Sequence, residues 1–322
     1  MATVIGVISG LLGIFTFLDD NFSTESPTSS ETKMRIVAAL DGTQGLSNAG
    51  GDYPDVRLFG ETGEFLGASY DPGYVEDGTH YDLTIQQSTG QQPTYALFSG
   101  NTDAICIAYI SATWPDSQNY GWVGSWGRKC NQPWYHSGIA ISGKYPECIW
   151  VDANGDPGPV TAFQVHFPDY CEGGPPFKTY THEDPNSITF WTSILEKREY
   201  ATSEAAIHPA EPAYTSRRSG KVRSLVRGLE EDTRLIKSHL ESQTATELCD
   251  SETSAGPDFI SLAEGKFCDM YSRKVWDLCD EDSGIIGDCF DVELNTLQYT
   301  NLTQRAVPIE YSHVIEWGAG DD

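Results

Sequence analysis

Lys33-Met-Arg-Ile-Val-Ala-Ala-Leu40, closed by Asp41-Gly42, is the stretch that decides the fold class. It is an apolar run of strand length ended by a turn dipeptide. The same alternation of short runs and turns continues on both sides. Val56, Leu58, Phe65 and Leu66 flank a turn at Glu61–Glu64. Tyr81, Leu83 and Ile85 alternate with polar residues, as in a half-buried strand. Tyr95–Phe98 and Ile105–Ala112 read as inner strands, and Ile139–Ile141, Ile149–Val151 and Phe163–Phe167 extend the series. No long helical period interrupts it. The pattern predicts a mainly β protein, with an antiparallel, jelly-roll-like sandwich over residues 33–200.

The charge balance narrows the function. Acidic residues outnumber basic ones by 47 to 20, giving a formal net charge of -27. Such a field repels phosphate backbones and argues against nucleic-acid binding. It suits an acidic or extracellular medium, and it also serves plain solubility.

Eight cysteines lie at 106, 130, 148, 171, 249, 268, 279 and 289. Cys106, Cys130, Cys148 and Cys171 precede residues 201–218; Cys249, Cys268, Cys279 and Cys289 follow them. None forms C-x-x-C or a zinc spacing. The even split predicts disulfides within each half, with a short loop closure among Cys268, Cys279 and Cys289. It points to an extracellular or cell-surface location.

Residues 1–22 open with TVIGVISGLLGIFTFL at 3–18, a run without a charged side chain. It reads as a hydrophobic helix about 16 residues long, at the short end for a membrane span. Gly6 and Gly10 form G-x-x-x-G, which permits close helix approach. Gly6, Ile8, Gly10, Leu11, Gly13, Phe15 and Leu18 are the candidate residues for self-association or membrane insertion. A signal peptide and a groove on the same domain are the alternatives. Residues 23–32 read as a polar linker.

Four of the chain's tryptophans lie between 114 and 134. Trp114, Asp116, Tyr120, Trp122, Trp126 and Trp134 form a candidate glycan-binding set, since exposed aromatic rings beside polar groups stack on sugars. The competing reading makes them core. Asp152, Asn154 and Asp156 resemble the start of a calcium loop, although Pro157 and Phe163 break the fuller pattern; calcium is the one cofactor considered. Asn21 and Asn301 head glycosylation sequons. No G-x-S-x-G, H-E-x-x-H, P-loop or G-x-G-x-x-G is present. His166 with Asp169 and His182 with Asp184 are the nearest acid/base pairs, and a carboxylate-dependent hydrolase around Asp152, Asp156, His166 and Asp169 stays open.

Residues 201–218 read as a linker ending in Arg217-Arg218, a candidate processing site. Residues 219–322 combine an expected amphipathic helix with a small disulfide-stabilised unit. The helix rests on Val222, Leu225, Val226, Leu229, Ile236 and Leu240.

Arg57-Leu-Phe-Gly-Glu-Thr-Gly-Glu-Phe-Leu-Gly67, the segment 114–130 and the region Phe259–Phe290 resemble a group of uncharacterised filamentous-fungal proteins. That resemblance implies a secreted-type chain and no particular activity. The Gly-spaced N-terminus looks like the start of fungal HeLo-type domains, but those are all-helical and this chain turns to strands by residue 35. The expected function is a non-enzymatic extracellular or surface protein. Its N-terminal segment joins it to itself or to a membrane, with a lectin-like module as the alternative.

Overall fold

The structure, a computed structural model, describes residues 5–9, 13–40, 49–153, 160–167, 177–180, 232–299 and 310–319, with the backbone alone at 5–9, 13–14 and 177–180. The expected N-terminal helix is a hairpin instead. Strands β1 (Ile5–Ser9) and β2 (Gly13–Phe17) pair antiparallel, with Val7 opposite Phe15 and Ile8 opposite Ile14. The cause is compositional. Valine, isoleucine and phenylalanine fit extended backbone. Each glycine in a helix interior costs about 1 kcal/mol relative to alanine, and this run holds Gly6, Gly10 and Gly13. Gly10 and Leu11 lie outside the described residues, among which no helix is long and apolar enough to cross a membrane.

The sandwich follows the expected alternation. Its first strands are β3 (Glu31–Ala38), β4 (Gly51–Asp52), β5 (Asp55–Phe59), β6 (Phe65–Ser69), β7 (Tyr74–Val75), β8 (His80–Gln86) and β9 (Tyr95–Ser99). Next come β10 (Ile105–Thr113), β11 (Asn119–Val123), the short helix α1 (Ser125–Lys129), β12 (Trp134–His136), β13 (Glu147–Val151), β14 (Ala162–His166) and β15 (Phe177–Tyr180). One sheet has the order β12-β13-β10-β3-β8, with β11 also on β10; the other runs β15-β14-β9-β5-β6, and their pairings are antiparallel.

The two sheets close on Met34, Ile36, Val56, Leu58, Phe98, Ile107, Ile110, Trp122 and Phe163, all buried. A register shift between Ile107 and Tyr109 lets β10 serve both of its faces. Ile107 and Ile110 point into the sandwich, while Cys106, Ala108 and Tyr109 join clusters on the outside. A bulge is the ordinary device for re-aiming side chains in this way.

The outer face of that first sheet carries two coverings. One is the N-terminal segment. Phe15, Phe17 and Phe22 pack with Val37, Tyr109, Val123 and Ile141. The segment at 23–32 is not a free linker: the Ser30 carbonyl accepts the Gln87 N–H at 2.8 Å, and Glu25 pairs with Lys33 at 2.8 Å.

The second covering is the C-terminal unit. It comprises β16 (Arg234–Ser238), α2 (Ala245–Asp250), β17 (Asp258–Ser261), β18 (Lys266–Asp269), β19 (Lys274–Asp277), β20 (Cys289–Asp291), β21 (Thr296–Gln298) and β22 (His313–Trp317). Its sheet order is β19-β18-β17-β16-β22, with β16 parallel to both β17 and β22. Here the expected amphipathic helix gives way to strand at Arg234–Ser238. Both faces of that strand are buried, so its apolar residues answer two packing surfaces rather than one helical stripe. Residues 220–231 lie outside the described residues.

Three disulfides form: Cys106–Cys148, Cys249–Cys268 and Cys279–Cys289. They stay within their halves, and the last closes a loop with a sequence separation of 10. Cys130 carries no disulfide among the described residues, and Cys171 lies outside them.

Candidate functional site

The tryptophan segment packs against the sandwich core. Trp114 and Trp122 are fully buried in the sandwich core. Trp122 stacks on Phe163 at 5.0 Å, and Trp114 meets Phe167 edge-on at 4.8 Å. Tyr120 and Trp126 are half-buried against the same core. Asp116 is exposed at a turn, where its carboxylate accepts the Gln118 N–H at 3.1 Å. The structure therefore brings Trp114, Tyr120, Trp122 and Trp126 together against the sandwich core.

Trp134 belongs to a different place, the seam between sandwich and C-terminal unit. Strand β12 spends its polar groups on the facing loop. The Trp134 indole N–H donates to Ser251 Oγ at 2.9 Å, and the Tyr135 hydroxyl donates to the Pro257 carbonyl at 2.8 Å. His136 Nε2 lies 3.3 Å from the Thr244 carbonyl. Over the seam lies Arg128, 2.6 Å from Glu147 and 3.2 Å from Glu247, with its guanidinium 4.3 Å from the Trp134 ring. Burial drives the Glu147 carboxyl up, yet hydrogen bonds from Ser125 and Arg128 hold it below its ordinary value. Burial pushes His136 down, against the pull of Glu147. Sequence reasoning missed this cluster because its members lie 19 and 119 residues apart.

The acid/base candidates are dispersed. His166 pairs with Glu61 at 3.0 Å and stacks on Tyr95 at 4.0 Å. Asp169, His182 and Asp184 lie outside the described residues. Asp152 is buried, and its N–H donates to the Val160 carbonyl at 3.0 Å. Asn154 and Asp156 lie outside, as do Asn301, Arg217 and Arg218. Among the described residues no group of three or more His, Cys, Asp or Glu is placed to hold a metal. Asn21 is half-buried; its amide donates to the Tyr109 hydroxyl at 3.3 Å and its side-chain oxygen accepts the Leu18 N–H at 2.9 Å. A glycan would attach at the same nitrogen that donates to Tyr109.

The N-terminal hairpin remains the distinctive element. Phe17 is fully buried and Phe15 nearly so. Phe17 meets Tyr109 edge-on at 5.5 Å. Ser142 Oγ donates to the Thr16 carbonyl at 2.7 Å, and the Arg35 guanidinium donates to the Asp20 carbonyl at 2.8 Å. Leu18 is exposed at 39%. Residues 15–22 are thus pinned at several points, and β1 is held through its ladder with β2. Among the described residues this ladder is two-stranded, so the hairpin offers backbone groups for a further strand.

No family model matches the chain, and no curated protein matches it. Among solved structures, Delta413-417:GS LOX, free and in complex with arachidonate, is 18% identical to this chain with a TM-score of 0.22. The likeness covers 29% of this chain and 14% of that one. At that extent it assigns neither fold nor activity.

Proposed function

We propose that this chain is a non-enzymatic extracellular structural protein whose uncharged N-terminal hairpin joins it to further copies of itself. The observation that carries the reading is the contrast between a charge-free hairpin and a chain of net charge -27. A two-stranded ladder of apolar residues is a poor isolated unit in water. Its open edge pairs readily with another strand, and natural edges are usually blunted by charge. Strands β8, β19 and β22 follow that custom, with Asp82, Lys274 and Glu316 respectively; β1, β2 and the edge strand β6 carry no charge. Burial of a large apolar side chain is worth roughly 1.5–3 kcal/mol, so a few suffice against screened surface repulsion.

The disulfides support an oxidising compartment. The titratable clusters support a structural role, since Arg128, Glu147, Glu247 and His136 tie two parts of the chain together. Deletion of residues 2–14 tests the reading, because it spares the Phe15 and Phe17 anchors. The full chain should sediment as a dimer or larger species, and the deletion variant as a monomer. Equal sedimentation of both would refute self-association. Flotation of a monomeric full chain with neutral lipid vesicles would overturn it in favour of a membrane.

A further inference from the structure

The second sheet of the sandwich is buried on its outer face as well as its inner one. Along β9, Ala96 and Phe98 enter the core, so Leu97 and Ser99 point the other way. Leu97 and Ser99 are nonetheless fully buried, as is Ala162 on β14. Arg57 stands opposite Leu97 and Asp55 opposite Ser99 on β5, and both are buried too. Leu97 belongs to none of the hydrophobic clusters formed among the described residues.

The polar groups of this face are suited to being covered. The Arg57 guanidinium donates to Ser99 Oγ at 2.8 Å and lies 3.9 Å from the Asp55 carboxylate. Asp55 also accepts the Asp71 N–H at 2.7 Å. Polar groups bonded in this way can be taken out of water at little cost.

The coverings already described lie on the other side of the sandwich. The N-terminal segment and the C-terminal unit both rest on the first sheet. Tyr70, with its ring 4.9 Å from the Arg57 guanidinium, is 58% exposed and so stands at the rim. Residues 41–48, 154–159 and 168–176 offer only Leu46 and Tyr170 as large apolar or aromatic side chains. Residues 300–309 join β21 to β22, and residues 222–229 lead into β16, all in the unit over the first sheet.

One apolar stretch starts from the right place. Ile188-Thr-Phe-Trp-Thr-Ser-Ile-Leu195 holds five large apolar side chains. It follows β15, the edge strand of the second sheet. Two strand spacings, about 10 Å, separate β15 from β9. Residues 181–187 can span about 23 Å when extended.

We propose that the outer face of the second sheet is a docking surface for residues 188–195 of the same chain. Ile188, Phe190, Trp191, Ile194 and Leu195 supply the apolar contact that buries Leu97 and Ala162. The sandwich is then covered on both sides by its own chain.

Photo-cross-linking of the full chain tests this. Tyr95 shares the face with Leu97, where it stacks on His166 at 4.0 Å. Tyr95→p-benzoylphenylalanine places a reactive ketone there. Irradiation and peptide mapping should join position 95 to residues 188–195 within one chain. Trp191→Asp should lower that yield severalfold, and carbene labelling of Leu97 should rise severalfold in the same variant. A link to any other stretch would overturn the proposal. So would a link confined to dimers, which assigns the face to a second copy, or a folded chain that forms no link. Should Trp191→Asp fail to fold, the mapped link in the otherwise native chain still decides.

Discussion

The ring of Phe17 occupies the space above Gly121, where an ideal β-carbon would stand 2.6 Å from the ring. A strand residue without a side chain thus receives the aromatic that anchors the N-terminal hairpin. Gly121→Ala should cost about 1–3 kcal/mol by overpacking. Phe17→Ala should cost about 3–5 kcal/mol by leaving a cavity. Urea unfolding of both variants checks the pair, and a neutral result for Gly121→Ala would deny the contact.

Arg128 should be the most sensitive charged residue at the seam. Its removal strands Glu147, a half-buried carboxylate, and opens the Trp134 face. Arg128→Ala should cost about 3–5 kcal/mol. Arg128→Lys should recover only part, since an ammonium cannot reach two carboxylates and lie flat on an indole together. Denaturant titration gives both values.

Peptide mapping under non-reducing conditions should recover the pairs 106–148, 249–268 and 279–289. Replacing Cys279 and Cys289 by serine should cost about 2–3 kcal/mol, the loop-closure contribution for a 10-residue separation.

Trp122→Ala should destabilise the fold by about 3–5 kcal/mol. Its glycan-array profile should match that of the parent chain. Loss of a specific glycan signal in a variant that keeps its fold would revive a lectin role.

Self-association should strengthen as salt screens the net charge of -27, and again as pH falls toward the isoelectric point near 4.4. Sedimentation across a salt series at neutral pH reads this out. Weakening with added salt would point to ion pairs rather than apolar burial as the driving force.

The β architecture was legible because period and turn placement are local. Lys33–Leu40 and Tyr81–Ile85 reappear as β3 and β8, and Tyr95–Phe98 and Ile105–Ala112 as β9 and β10. Residues 3–18 were misread because a charge-free apolar run suits a helix or a hairpin equally, and only the β-branched content and three glycines lean toward strand. Ile236 fits a helical spacing with its neighbours in sequence, yet both faces of β16 are buried. Burial of Trp114 and Trp122 depends on which sheet closes over them, and no local pattern carries that.

The C-terminal unit repeats one turn signal. Ser261, Asp269, Asp280 and Asp291 each accept a backbone N–H two or three residues on. Four residues after each stands Gly265, Arg273, Gly284 or Asn295, all with positive φ. This repeated turn builds the C-terminal unit, and its spacing is visible in the sequence.

The most direct test of hairpin-mediated assembly is hydrogen exchange at residues 5–9 and 13–17 over a range of protein concentrations. If these strands join one copy to the next, their protection rises with concentration while that of β10 stays constant. Protection independent of concentration would contradict the account.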